Sequence, residues 1–200
     1  MKNLIKFCLV AIMILLPFSC DQESSDIATN GVENFNKASS EDADFILSLP
    51  SLMPYGNASA SLVRNKNGAT ANFNAMNLEP GAYTLWVIVF NNRSNCGGEP
   101  CAEADLFNPD VEGDALFGAG HVVGNNGRGN FSAHLGVGDI SGSLGFNNGL
   151  LDPEGAEIHL VLRYHGPVIP GMVDEQIHTI DGGCQTNDCE DVLAAVFMPS

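Results

Sequence analysis

The chain has 200 residues, of which 44% are hydrophobic and 16% are charged, and its formal net charge at pH 7 is −16. Its 8 basic residues, set against 24 acidic ones, offer no basic patch that could neutralise phosphates, which argues against nucleic acid as a partner. The acidity is typical of a soluble, self-repelling surface, and it leaves cation binding open.

The N-terminus predicts export. Two lysines precede an apolar run at 7–16 that is too short to span a membrane and has the length of a secretory signal. The run leads into LPFSC, which resembles the lipobox of bacterial lipoproteins, where a small residue precedes a lipidated cysteine. The resemblance implies a signal peptide at 1–19, a lipid anchor on Cys20, and a location at the periplasm or cell surface. Two residues of LPFSC depart from the strict motif, so simple secretion is the alternative.

Residues 20–43 are rich in Ser, Asp, Glu and Asn and contain few large apolar side chains. Such a segment cannot offset its ordering entropy by burial, so it predicts a flexible tether. The remaining residues, 44–200, are long enough for one domain with a proper core. No sustained apolar period of 3.6 residues occurs in them, so we expect strands rather than helices.

The first predicted elements are a hairpin and a long strand. Residues 58–76 alternate around Asn67-Gly68, and Asn-Gly between alternating runs is the strongest short-range hairpin signal. Residues 79–90 begin with a Pro-Gly turn and continue with many β-branched and aromatic side chains, which predicts a central strand buried on both faces. Trp86, within this strand, is expected to lie in the core.

Four cysteines belong to the predicted domain: Cys96, Cys101, Cys184 and Cys189. An even number of cysteines in an exported chain predicts two disulfides. Three pairings are possible, and the two CxxxxC loops, which contain glycine and polar turn residues, favour the local pairs Cys96–Cys101 and Cys184–Cys189. A zinc site made of all four thiolates is the alternative, although zinc ribbons favour a shorter CxxC spacing.

An acidic run after the first cysteine loop offers oxygen ligands at alternating positions, as a calcium loop does. It lacks the spacing and the glycine of an EF-hand, and a proline within it is equally consistent with a solvated connection. The candidate calcium ligands are Asp105, Asn108, Asp110, Glu112 and Asp114.

A second hairpin is predicted at 115–139 around the turn NNGRG, and a glycine-rich irregular stretch follows to Leu151. A further strand at 156–165 and the second cysteine loop come next, and residues 191–197 predict the last strand. The two halves of the chain are similar, because VRNKNGATANFNAM matches VVGNNGRGNFSAHL and EPGAYTLWVIV matches DPEGAEIHLVLR. Chance similarity between Asn-Gly turns is the alternative to a repeat. We therefore predict an all-β sandwich or jelly roll of about eight strands, built from two similar halves.

The strand that follows the irregular stretch has one apolar and one polar face, because successive side chains of a strand point to opposite sides. The apolar, core-facing set is Ala156, Ile158, Leu160, Leu162 and Tyr164; the other set is Glu157, His159, Val161, Arg163 and His165.

His159 and His165 are about 20 Å apart along such a strand, too far to share one ion. A copper or zinc site would need His178, or a residue of a neighbouring strand, to join one of them. Two alternatives stay open. The polar face could simply be solvated or hydrogen-bonded, or it could bind a small molecule or glycan, with Arg163 for a carboxylate.

AYTLWVIVFNN, GAEIHLVLRYHGP and DEQIHTIDGGC resemble a group of exported bacterial β proteins, over most of 83–197. The resemblance implies a secreted β domain and no particular activity. GHVVGNNGRGNFSAHL is similar to a His-Val-Gly stretch of copper/zinc superoxide dismutases, which are also β-sandwiches. The His-x-His pair of that family is missing here, so the resemblance implies no metal ligand.

The sequence contains no GxSxG, no HExxH and no phosphate-binding glycine loop. Acidic pairs such as Asp174 with Glu175, or Glu154 with Glu157, could serve a glycosidase only within a cleft. Our leading hypothesis is a lipid-anchored, non-enzymatic binding or structural module, whose ligand is a small molecule, a glycan or a protein. The alternative is a copper or zinc protein that uses the histidines of 157–178, with redox or hydrolytic activity.

Overall fold

The computed structural model describes residues 39–199. The predicted signal peptide, Cys20 and most of the predicted tether lie outside the described residues. Within them, strands assemble into two antiparallel sheets, so the prediction of an all-β sandwich is confirmed. None of the helices in 39–199 is long and apolar enough to cross a membrane.

Ten strands are present between residues 39 and 199, two more than the sequence predicts. They are β1 (Ser39–Asp42), β2 (Phe45–Ser48), β3 (Met53–Pro54), β4 (Ala58–Asn65), β5 (Gly68–Ala75), β6 (Gly81–Phe90), β7 (Gly113–Val123), β8 (Gly129–Gly136), β9 (Glu157–Tyr164) and β10 (Glu190–Phe197). The helix α1 spans Val173–His178, and 3-10 turns lie at Arg93–Asn95, Glu103–Phe107 and Pro109–Val111. The smaller sheet has the order β1-β4-β5-β8, and the larger has the order β3-β2-β10-β9-β6-β7.

The core lies between the two sheets. Small and large apolar side chains alternate with polar ones along β5 and β8, so each of these strands turns one face inward, led by Phe73 and Phe131. On the larger sheet, the apolar set predicted for β9 is buried in this core. β6 is buried on both faces, and Trp86 with it, because the smaller sheet covers one face and α1 packs against the other.

The strand pairing reproduces the predicted repeat in its long strands, cysteine loops and return strands, but not in its hairpins. Each half contains a strand of the smaller sheet, a long strand of the larger sheet, a cysteine loop, and a return strand that pairs with the long one. In the first half these strands are β5, β6 and β7, and in the second they are β8, β9 and β10. Equivalent strands pair with each other, β5 with β8 and β6 with β9, so that Phe73 lies opposite Phe131.

The second predicted hairpin, at 115–139, is wrong. β7 pairs with β6 in the larger sheet, while β8 pairs with β5 in the smaller one, so the segment between them crosses from sheet to sheet. Gly127 adopts a left-handed φ of 64°, and its carbonyl accepts a hydrogen bond from the N–H of Leu78. The turn chemistry is therefore as expected, but each flanking strand pairs with an earlier strand of the chain, β7 with β6 and β8 with β5, rather than with the other. The first hairpin, β4 with β5, is confirmed.

The folded part begins before the predicted boundary at residue 44. Residues 39–42 form the edge strand β1, which pairs antiparallel with β4. The polar composition of 39–42 does not indicate a strand, because an edge strand forms backbone hydrogen bonds on one side only and can leave its side chains in water. Glu41 adds an ion pair with Arg64.

Arg64 connects the two sheets from a position on the inward face of β4. Its side chain is only 3% exposed. Its guanidinium donates hydrogen bonds to the carbonyls of Pro153 and Ala156, each at 2.6 Å, and to the carbonyl of Met198 at 3.0 Å. These acceptors lie next to the beginning of β9 and the end of β10. One cation thus joins three chain segments at the end of the sandwich.

Candidate functional site

The polar face of β9 is covered at both ends by a disulfide loop. Both predicted local bridges are confirmed: Cys96 pairs with Cys101, and Cys184 pairs with Cys189. The first loop covers Glu157 at one end of the strand, and the second covers His165 just beyond the other end. Both of these side chains are fully buried.

Glu157 is held by three partners. Its Oε1 accepts hydrogen bonds from the backbone N–H of Cys101 and from His159 Nε2, both at 2.7 Å, and its Oε2 lies 3.4 Å from Arg93 Nε. Burial alone would raise the pKa of Glu157, but the two hydrogen bonds and the charge of Arg93 lower it below its ordinary value. Ionised Glu157 makes His159 Nε2 the donor, while the imidazole packs edge-on against Phe90.

His165 belongs to a chain of buried hydrogen bonds. Trp86 Nε1 donates to Thr84 Oγ1, and Thr84 Oγ1 lies 2.8 Å from His165 Nε2. His165 Nδ1 lies 3.0 Å from the carbonyl of Gly182, which can only accept, so Nδ1 carries the proton and Nε2 accepts from Thr84. Burial lowers the pKa of His165, which agrees with a neutral ring. Both ring nitrogens are therefore occupied.

The segment that covers His165 is itself tightly held. The buried Gln176 donates to the carbonyls of His165 and Pro167 and accepts from the N–H of Ile169 at 2.8 Å. Gly182 passes so close to α1 that a Cβ there would lie 2.0 Å from the carbonyl of Glu175. The second disulfide loop and α1 thus form one packed cover over the end of β9.

Arg163 and His178 do not complete a ligand site with these groups. Arg163 donates to the carbonyl of Ile180 at 2.8 Å and to Asp191 Oδ1 at 2.9 Å, so its guanidinium is used within the fold. His178 is exposed at the end of α1, where its Nδ1 is 2.9 Å from the carbonyl of Asp174 and its ring lies against Phe117.

The predicted metal pairing of His178 with His159 or His165 is not found among residues 39–199. In this part of the chain, two groups of three metal-ligating side chains come together, and each contains a disulfide. One group is His165 with Cys184 and Cys189, and the other is Asp105 with Cys96 and Cys101. The four cysteines do not meet in one zinc site, because each pair closes its own loop.

The five calcium candidates do not converge either. Asp114 is fully buried, and its two oxygens accept four hydrogen bonds, from Ser143 Oγ and from the N–H groups of Ala115, Asn148 and Gly149. It therefore organises the irregular stretch after β8. The other four are spread over the connection before β7. Asp105 accepts hydrogen bonds from the N–H groups of Gly97 and Ala102. The Asn108 side chain accepts from Asp110 N–H and donates to the carbonyl of Asn95. Asp110 and Glu112 are exposed.

The outer face of the smaller sheet was missed by the sequence interpretation. Ten side chains of its three longest strands point outward, none of them Asp, Glu, Lys or Arg, and all but one polar. One of them, Asn65, lies at the end of β4 beside the turn, and the other nine form one surface. We call this surface the amide face: Ser59, Ser61 and Val63 on β4, Thr70, Asn72 and Asn74 on β5, and Asn130, Ser132 and His134 on β8. The strand register aligns them in rows across the sheet, such as Ser59-Asn74-Asn130 and Ser61-Asn72-Ser132.

Three amides of this face are free to bind. Asn72, Asn74 and Asn130 are exposed, and their side chains make no hydrogen bond to any residue of 39–199. A shallow groove of about 310 Å³ runs over Asn74 and Asn130 towards Arg128 at the rim. A second groove, of about 270 Å³, lies beside His134 at the other end of β8. The alternation NFN and NFS was the available sequence signal, but we read it only as strand pattern.

No protein-family model matches the chain, and no curated protein is significantly similar to it. The resemblance to exported bacterial β proteins therefore stays a prediction. Two polar surfaces of the domain are candidates for function: the covered polar face of β9 and the open amide face.

Proposed function

We propose that the protein is a lipid-anchored, non-enzymatic binding module of the cell envelope, and that its amide face binds a neutral, hydroxyl-rich glycan. The observation that carries the proposal is the lack of charge on this face. The chain as a whole has 24 acidic residues and a net charge of −16, yet none of the ten outward side chains of β4, β5 and β8 is an acid. The one acid among the outward side chains of this sheet is Asp42, on the edge strand β1 opposite Ser61, so the three central rows of polar side chains are unexpectedly uncharged on so acidic a chain.

The chemistry of the face selects the class of ligand. An anionic polymer would be repelled by the net charge of the protein, and a cationic ligand would find no carboxylate among the nine side chains. Each asparagine amide offers two N–H donors and one carbonyl acceptor. Hydroxyl groups, which both donate and accept, match such amides better than any charged group does.

The spacing of the face suits a repeating ligand. Neighbouring strands of a sheet lie about 4.8 Å apart, and side chains on one face recur about every 6.8 Å along a strand. Asn74 and Asn130 lie directly opposite each other on adjacent strands, and Asn72 is one position along the same face. An extended chain of sugar units could therefore contact successive amides, with the groove of about 310 Å³ at one end of the array.

A binding role is also supported by the state of the groups that could do chemistry. Glu157 and His165 are enclosed under the disulfide loops. Both ring nitrogens of His165 and the Oε1 of Glu157 have hydrogen-bond partners within the fold, and Glu157 Oε2 faces Arg93 without a hydrogen bond. Asp174 and Glu175 are exposed on α1, a helix of six residues. Such groups stabilise the domain, while the amide face stays open to a ligand.

The test is to measure binding of uncharged polysaccharides and oligosaccharides by isothermal titration, with Asn74→Ala/Asn130→Ala as the variant. Two lost hydrogen bonds of about 1 kcal/mol each predict a roughly 30-fold weaker affinity. Gln185→Ala is the matched control, because it removes an exposed amide from the second disulfide loop and should leave the affinity unchanged. Equal affinity of the double variant and the wild type, or binding only to charged glycans, would contradict the proposal.

A further inference from the structure

The buried histidine and the second disulfide are placed like the ligands of a metal site. His165 Nδ1 lies 3.7 Å from Cys189 Sγ and 3.9 Å from Cys184 Sγ. In the disulfide form the two sulfurs are bonded to each other, and only thiolates are zinc ligands. The contact between sulfur and imidazole has no evident role in the glycan binding proposed above.

We propose that reduction of the Cys184–Cys189 disulfide creates a Zn²⁺ site, with His165 Nδ1 and the two thiolates as its protein ligands. The oxidised protein does not bind the ion there. The inference does not depend on the amide face, which lies on the other sheet.

The distances agree with tetrahedral coordination. Zinc bonds of about 2.3 Å to sulfur and about 2.0 Å to nitrogen, at a tetrahedral angle, place nitrogen and sulfur about 3.5 Å apart. The observed 3.7 and 3.9 Å are within a few tenths of an ångström of this value. After reduction, the main change needed is that the sulfurs separate from bonding distance to about 3.8 Å. Four residues lie between the cysteines, within the range of known zinc ligand pairs.

A partner for the other ring nitrogen is already in place. A histidine that binds zinc usually donates its second N–H to a neighbouring oxygen, which fixes the ring. Thr84 Oγ1 lies 2.8 Å from His165 Nε2 and can accept from it, because a hydroxyl has two lone pairs and Trp86 Nε1 uses only one. Metal binding therefore requires His165 to move its proton from Nδ1 to Nε2 and to release the carbonyl of Gly182.

The surroundings allow a cation to enter. Cys184 and Cys189 are half-buried rather than enclosed, so a reductant and an ion can reach the sulfurs. The charge of Arg163 acts on the His165 ring against a cation, and the charges of Asp191, which is paired with Arg163, and Asp181 act in its favour. With three protein ligands, one coordination position is left to a water molecule.

The reaction balances with a dithiol as the reductant. The dithiol gives two electrons and two protons to the Cys184–Cys189 bond, becomes a disulfide itself, and leaves two thiols on the protein. Zn²⁺ then displaces one proton from each thiol as the zinc–sulfur bonds form. Oxidation of the two thiolates reverses the process and releases the ion.

The first disulfide loop provides an internal comparison. Asp105 is the third group beside Cys96 and Cys101, but its Oδ1 accepts from Gly97 N–H and its Oδ2 from Ala102 N–H. No imidazole joins this group. We therefore expect the reduced first loop to bind the ion at least tenfold more weakly than the reduced second loop.

The experiment uses Co²⁺ as a spectroscopic probe, because thiolate–cobalt charge-transfer absorbance reports the number of sulfur ligands. The full chain carries Cys8→Ser and Cys20→Ser, together with either Cys96→Ser/Cys101→Ser or Cys184→Ser/Cys189→Ser. Each protein is reduced with a phosphine, freed of the reductant under argon, and titrated with Co²⁺ and then with competing Zn²⁺. The oxidised protein is titrated in parallel.

We expect one Co²⁺ with two thiolate ligands in the reduced protein that keeps Cys184 and Cys189, and none in the oxidised form. His165→Asn should weaken binding at least tenfold, since asparagine can still donate to the Gly182 carbonyl but is not a zinc ligand of this kind. Equal binding by the two cysteine variants, or by His165→Asn and its parent, would overturn the proposal. So would loss of β-sheet circular dichroism on reduction, because the site needs β9 to hold His165.

Discussion

Two buried charges of this domain, Arg64 and Glu157, are neutralised by backbone groups as well as by an opposite charge. Arg64 donates to carbonyls at the beginning of β9 and the end of β10 while it pairs with Glu41. Glu157 accepts from the backbone of the first disulfide loop while it pairs with Arg93. Backbone groups are positioned only by the fold, so these charges are stable only in the folded state.

Arg64→Met should destabilise the domain by about 3 kcal/mol, because it leaves Glu41 without its cation and three carbonyls without a donor. Urea denaturation followed by circular dichroism measures the loss. Lys66→Met, two residues away in the exposed turn between β4 and β5, is the control and should change stability by less than about 0.5 kcal/mol. Similar values for the two variants would refute the assignment.

The pKa of Glu157 predicts a loss of stability in acid. This pKa is lower in the folded state than its ordinary value of 4.5, so the folded state binds fewer protons than the unfolded state near that pH. The stabilisation is complete above 4.5 and is lost as the pH falls through the lowered pKa. Glu157→Gln should be less stable than wild type at pH 7, and its stability should fall less steeply below pH 4.5. Unfolding free energies measured at several pH values check this, and parallel curves would contradict it.

Among the secondary-structure elements, the two cysteine loops have equivalent structural roles in the two halves. Each follows a long strand, closes locally, and covers one end of the polar face of β9. A small domain usually gives a strand face either to the core or to water; here a third, thin layer of loop and short helix encloses part of it. The packing of α1 against β7 shows how close this layer lies.

Gly120→Ala should displace α1. A Cβ at residue 120 of β7 would lie 1.7 Å from the carbonyl of Ile177, which is backbone and cannot rotate away. We expect a loss of roughly 1–3 kcal/mol, with faster amide exchange in α1 and in the second disulfide loop. Gly124→Ala is the matched control, because a Cβ there meets no atom within 4 Å. Hydrogen exchange that is unchanged in α1 would show that the close approach is not needed.

For the whole molecule, the sandwich separates its two polar surfaces. The larger sheet carries the covered polar groups of β9 and the disulfide loops, and the smaller sheet carries the open amide face. The sheets pack only their apolar faces together, so a ligand on the amide face need not alter the covered groups of β9. In a protein anchored through its N-terminus, the proposed glycan-binding face and the proposed zinc site would belong to one domain.

The proposed anchor at Cys20 is tested in intact cells. Cys20→Ser removes the residue that would carry the lipid, and acyl chains are the only membrane affinity that we assign to the mature chain. The variant should therefore move from the membrane fraction to the soluble fraction. Ser19→Ala keeps a small residue before the cysteine and should stay with the membrane. A Cys20→Ser protein that remains in the membrane fraction would exclude lipidation as the anchor.

The sequence by itself determined those features that depend on neighbours along the chain. Alternation around Asn67-Gly68 predicted the first hairpin, and the apolar density of 79–90 predicted the buried strand β6. Two loops of four residues between cysteines predicted the local disulfides. Turn chemistry, side-chain alternation and small-ring closure are local properties, so no knowledge of distant segments was required.

Only the tertiary structure decided which strands pair and which polar groups are enclosed. Gly127 has the expected turn conformation, yet the strands on either side of it belong to different sheets. His159 and His165 share a strand with Glu157, but whether they face water, a ligand or a covering loop depends on residues far along the chain. The same holds for Arg64, whose acceptors lie about 90 or more positions away. Periodicity predicts the face on which a side chain lies, and packing between distant segments decides what covers that face.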